Sequence, residues 1–137
     1  MPSRKSQLFL ILGLILTVAV LHFLGFYLQL YWRIPWYDRV VHTLGGLWIV
    51  LATFFILELA HVAFATPFAF MVMGILASVC VGTLWEVFEL KAGITMLASH
   101  GYALDTAGDI ISDVVGGLLG VLYVIKRWNI LSWNLKK

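Results

Sequence analysis

DTAGDIISDVVGGLLGVLYVI, residues 105–125, is the stretch whose reading decides the fold. Asp105, Asp109 and Asp113 recur every four residues and run into Gly116, Gly117 and Gly120, so one helix face is acidic above and small below. The stretch matches the roughly 20 residues that a helix needs to cross a bilayer. Carboxylates at such depth are costly, and by default they mark a site.

Working outward, residues 8–31, 40–62 and 68–90 are apolar runs of similar length. With 137 residues, 62% hydrophobic and 12% charged, the chain has too little polar surface to cover a soluble globule. The expected fold is therefore all-α: an integral membrane four-helix bundle forming a single domain over 1–137, with a basic interfacial tail at 126–137. The first run follows Arg4 and Lys5 as a signal peptide would, but it exceeds an h-region in length and is read as a retained helix. One cysteine, Cys80, excludes a disulfide within the chain. The sequence contains no Walker loop, Rossmann glycines or nucleic-acid patch, so no nucleic-acid partner is expected.

Positive charge sets the expected orientation. Arg4 and Lys5 precede the first run and Lys126, Arg127, Lys136 and Lys137 follow the last, against Arg33, Arg39 and Lys91 on the other side. This asymmetry predicts both termini in the cytoplasm. Asp38 and His42 then open helix two, Glu86 and Glu89 close helix three, and the three aspartates open helix four, all on the outer side. Helix three repeats the pattern of helix four, its stripe Gly74, Ser78, Gly82 running up to Glu86. Small residues let helices approach closely in lipid, which predicts a tight seam below an outward polar pocket.

Asp38 and Asp105 lie at helix N-termini, where the macrodipole favours a carboxylate without any function. That account fails for Glu86 and Glu89 at a helix C-terminus, and for Asp113, about 12 Å along the axis from Asp105. Against six acids stand three fixed cations, Arg33, Arg39 and Lys91, leaving an excess of three negative charges if all the acids ionise. A bound ion, shared protons or a cationic ligand must supply the rest. Carboxylates with one imidazole suit Mg, Mn, Ca, Fe or Zn, and spacing does not choose among them. The candidate ligands are Asp38, His42, Glu86, Asp109 and Asp113, and Glu86, Glu89 and Asp109 are the candidates for catalysis, with Glu89 as base. Asp105, Arg39, Lys91 and His100 complete the neighbourhood, His100 and Tyr102 standing in the longest loop, 91–104, as either a lid or ordinary solvated residues. His22 is expected to be a hydrogen-bonded bundle residue, and Glu58 to snorkel or pair.

Three blocks carry a family resemblance: Asp38-Arg-Val-Val-His42, Trp85-Glu86-Val-Phe-Glu89, and Asp105-Thr-Ala-Gly-Asp109-Ile-Ile-Ser-Asp113-Val-Val-Gly116. Together they resemble the YjdF-like family of uncharacterised bacterial inner-membrane proteins, over helices two to four. A more distant likeness is to the VanZ-like proteins, whose blocks read D-K-x-x-H, E-x-x-Q and D-x-x-x-N-x-x-G-x-x-x-G. Asp38, His42, Glu86, Asp109, Gly116 and Gly120 fit that pattern, whereas Glu89 and Asp113 stand where it has Gln and Asn. The resemblance implies a multi-pass protein of the bacterial cytoplasmic (inner) membrane with a role in the envelope. The departures imply that amides are tolerated at Glu89 and Asp113.

Three function classes fit the sequence. The first is an enzyme or binding protein whose outward site uses a divalent cation to engage a lipid-linked or envelope phosphate, a metal-dependent hydrolase or transferase if it is an enzyme. The second is a proton- or cation-coupled transporter. The third is a structural or regulatory subunit that recognises a membrane partner or a second copy of itself.

Overall fold

The computed structural model describes residues 3–62, 66–94 and 101–128. Its helices are α1 (Arg4–Tyr27), α2 (Leu30–Arg33), α3 (Tyr37–Leu59), α4 (Pro67–Ala92) and α5 (Tyr102–Trp128), with no strand among the described residues. Four of them, all but α2, are long and apolar enough to cross a membrane.

Their ends carry recognisable stops. Ser3 caps α1 by accepting from the Ser6 amide at 3.2 Å, and Thr66 caps α4 by accepting from the Ala69 amide at 3.1 Å, with Pro67 in the first turn. α4 ends at Gly93, which adopts the left-handed conformation at φ 71°.

The first helix is shorter than the run 8–31 predicts. It stops at Tyr27, the chain turns through Gln29 at φ 56°, and the single turn α2 folds back. Hydrogen bonds hold this return: the Tyr37 hydroxyl donates to the Leu21 carbonyl at 2.7 Å, and the Tyr31 hydroxyl shares one with His22 Nδ1 at 2.9 Å. Gly25 makes room for it, since a Cβ there would meet the rings of Tyr31 and Tyr37 at 2.6 and 2.7 Å. Replacing Tyr37 by Phe should therefore lower thermal stability in detergent by about 1 kcal/mol, the worth of one hydrogen bond. An unchanged melting temperature would show that this bond does not fix the turn.

α3 is the central helix, packed against α1, α4 and α5, while α1 has no comparable packing on α4 or α5 among the described residues. Ile11, Val50, Leu51, Phe54, Phe70, Val121 and Val124 form the buried core, with Phe54 and Phe70 stacked at 3.6 Å between ring centroids. The expected small-residue seam lies beside it. A Cβ on Gly46 would strike the Asp113 carbonyl, one on Gly116 the Thr43 carbonyl, and one on Gly120 the Val50 side chain at 2.8 Å. Such contact is the close approach that small residues permit between helices in lipid. At the end of α3 remote from the acids, Arg4 pairs with Glu58 at 3.7 Å, as expected of that acid.

Candidate functional site

Each long helix after α1 delivers acidic groups to one end of the bundle, and His42 gathers them. Its Nδ1 is hydrogen-bonded to Asp113 Oδ2 at 3.0 Å. Its Nε2 faces Asp38 Oδ1 at 3.6 Å and Glu86 Oε1 at 3.8 Å, too far for hydrogen bonds. One donor atom from each of Asp38, His42 and Asp109 lies within 4.8 Å of the others.

Burial separates the predicted residues. His42, Glu86, Asp109 and Asp113 are buried, at 6%, 5%, 4% and 3% exposure, Asp38 and Glu89 are intermediate, and Asp105, Arg39 and Lys91 are exposed. His100 lies outside the described residues, and Tyr102 is the first residue of α5. The ion pairs that reach the cluster among the described residues all come from His42. The guanidinium of Arg39 lies instead over Gly108, its Nε 3.5 Å from where a Cβ would stand.

Glu86 carries the most unusual environment. Its Oε2 accepts from the Thr106 hydroxyl at 2.9 Å, but Oε1 is buried and has no hydrogen-bond partner. Carboxylate oxygens left in this way are costly unless a ligand completes them. Glu89 is held apart, its Oε1 accepting from Trp85 Nε1 at 2.9 Å one turn earlier on α4.

Two cavities flank this layer. The first, about 350 Å³, is lined by Asp38, Glu86, Glu89, Asp105 and Asp109 and by the aromatic residues Phe26, Tyr31 and Trp32. The second, about 520 Å³, is an apolar cleft between α1 and α4 whose floor is α3, and His42 and Asp113 line its polar end. Phe23, Val81 and Phe88 on its rim are exposed. α1 and α4 lie apart along this cleft, touching where the His22 ring meets Trp85 at 5.2 Å between centroids.

A family model described as "Predicted membrane protein (DUF2238)" matches residues 7–129. The chain belongs to that family. No curated protein and no solved structure matches it. The YjdF-like proteins, which the three sequence blocks resemble, are this same family. The DUF2238 match runs through all four membrane-length helices, so the helices that carry the carboxylates and His42 are family structure.

Several residues around the candidate site carry no sequence signal of their own. Thr106 is the partner of Glu86, yet it looks like any helix-interior threonine. Tyr31, the last residue of the run 8–31, and Trp32 just after it line the polar cavity because α2 folds back. Burial, and then the charge of Asp38, hold the Tyr31 phenol above its ordinary range, so it stays protonated beside His22. The Trp85 to Glu89 bond, in contrast, was readable from its four-residue spacing.

Proposed function

We propose that this multi-pass membrane protein binds one divalent cation at Asp38, His42 and Asp109, with Glu86 completing the set. The observation that carries the reading is the orientation of His42. Asp113 takes Nδ1, which fixes the ring and turns Nε2 toward two carboxylates; metal-binding histidines are oriented in this way by a carboxylate on their second nitrogen. Ligand atoms each about 2 Å from an ion stand some 3–4 Å apart, which accommodates the 3.6 and 3.8 Å separations at Nε2. Glu86 Oε1, which has no hydrogen-bond partner, supplies an acceptor at the same place. Oxygen ligands with a single imidazole suit Mg, Mn, Ca, Fe or Zn.

The ion would act as a Lewis acid toward a phosphate-bearing compound, with Glu89 placed on the same cavity as a base for hydrolysis or transfer. Five carboxylates line that cavity, so a phosphate can approach only where the ion offsets them. The apolar cleft that ends at His42 supports a lipid-linked compound, because an acyl chain could enter from the bilayer between α1 and α4. Coupled transport is the weaker reading. Beneath the site the glycines of α3 and α5 meet backbone to backbone, and this seam leaves no evident polar path.

Metal analysis of the detergent-purified protein is the test. About one equivalent per chain is expected to co-purify or to reload after dialysis. Chelator should lower thermal stability by about 2.7 kcal/mol relative to protein held at a hundred times the ion's Kd. Absence of metal together with indifference to chelator would mean that the acids neutralise one another by sharing protons, and the reading would fall.

A further inference from the structure

The polar cavity is too large for an ion alone. Its volume of about 350 Å³ compares with roughly 30 Å³ for one water, so an organic group fits above Asp38 and Asp109. Three aromatic residues, Phe26, Tyr31 and Trp32, line the cavity together with the carboxylates. Phe26 and Tyr31 stand 5.4 Å apart at 61°, Phe26 and Trp32 6.0 Å apart at 76°, and Tyr31 and Trp32 6.4 Å apart at 82°. Three mutually steep rings make a corner, and ring faces attract cations through their quadrupoles.

Charge points the same way. No Lys, Arg or His lines this cavity among the described residues, so five carboxylates face it without a lining cation. One divalent ion offsets two of those five charges, and Glu89 and Asp105 are the lining carboxylates outside the proposed ion set. Glu86, 5% exposed, lines the same cavity, and its Oε1 has no hydrogen-bond partner. Away from the ion, a cavity lined in this way repels anions and favours a bulky cation.

We propose that this cavity binds an organic ammonium group, seated between the rings of Phe26, Tyr31 and Trp32 and the carboxylates of Glu89 and Asp105. The ammonium belongs either to a soluble amine or to the headgroup of a lipid whose chain occupies the adjoining cleft; the recognition chemistry is the same. The site shares its cavity with the ion site but does not require the ion, and the two can fail separately.

Radiolabelled choline is the probe, bound to the full chain in nanodiscs of phosphatidylglycerol and counted by scintillation proximity. Saturable binding is expected, displaced by tetramethylammonium and by ethanolamine but not by the uncharged carbon isostere of choline. Trp32→Leu, at a largely exposed position, should weaken it about tenfold with the melting temperature in detergent unchanged, and Trp32→Phe should restore most of the loss. Glu89→Gln should weaken it as well, while metal content measured in the same samples stays at the wild-type level. Displacement of choline by phosphatidylcholine nanodiscs would assign the ammonium to a lipid headgroup, and indifference to them would assign it to a soluble amine. Absence of saturable choline binding, equal competition by the neutral isostere, or an unaltered affinity in Trp32→Leu would overturn the proposal, whatever the metal content. Choline binding that survives in a protein with no metal would instead leave the cage standing and remove the ion.

Discussion

Gly116→Ala should yield almost no folded protein, and Gly46→Ala should do the same. The added Cβ at 116 would strike the Thr43 carbonyl oxygen and lie 2.8 Å from that residue's carbonyl carbon and 2.9 Å from the Leu47 nitrogen. At 46 it would strike the Asp113 carbonyl oxygen and lie 2.9 Å from the Asp113 Cα. These are backbone atoms of facing helices, which cannot rotate aside as a side chain can. The helices would have to separate, losing the packing around Val50 and Val121 that the seam allows. The cost should reach or exceed the roughly 3 kcal/mol at the upper end of ordinary overpacking. Gly13 supplies the control: a Cβ there meets nothing within 4 Å, so Gly13→Ala should be neutral or stabilise α1 by up to about 1 kcal/mol. Monodisperse yield and melting temperature in detergent measure both effects. Wild-type behaviour of Gly116→Ala would show that α3 and α5 do not meet so closely in the membrane.

That seam was legible because lipid imposes it. Gly74, Ser78 and Gly82, like Gly116 and Gly120, recur at four residues, and in hydrocarbon small residues are what mark a helix contact. The four long helices were legible for the same reason, since length and apolarity are what a bilayer demands. The break at Gln29 was not. Turns usually announce themselves through glycine or proline, and neither occurs between Phe26 and Ile34, so the first helix was extended to Tyr31. The cavity's aromatic wall was lost with it, because that wall exists only once α2 folds back.

Within the acidic cluster, residue types were readable and their division of labour was not. A four-residue step overshoots the helical turn by about 40°, so Asp105, Asp109 and Asp113 fan out rather than stack. The consequence is visible in burial: Asp109 and Asp113 point inward while Asp105 is exposed in the first turn of α5. The four-residue spacing of Asp38 and His42 does bring Asp38 Oδ1 to 3.6 Å from Nε2, but the hydrogen bond of His42 is to Asp113 on α5. A long-range partner leaves no periodic trace in sequence.

Ion affinity should therefore divide the cluster into three grades. Asp109→Asn and His42→Ala each remove a donor of the proposed ion, and should abolish metal retention in purified protein matched for expression. Glu89→Gln should leave retention unchanged, because its amide oxygen can still accept from Trp85 Nε1 and the residue is only half-buried. Asp113→Asn is the discriminating variant. The VanZ-like pattern, with Asn at this position, implies tolerance; the geometry implies the opposite. Asp113 is 3% exposed, holds His42 Nδ1 at 3.0 Å, and packs its carboxylate against Gly82. An asparagine there can still accept from Nδ1–H, but it removes the charge that makes the imidazole a stronger donor and buries an amide N–H₂ with no new acceptor. Loss of such an orienting partner typically costs 10- to 100-fold in metal affinity, and a drop of about that size is expected by calorimetric titration. Should Asp113→Asn bind the ion as tightly as the wild type, His42 would not be oriented through Nδ1 for coordination, and the pair would be a structural bond between α3 and α5.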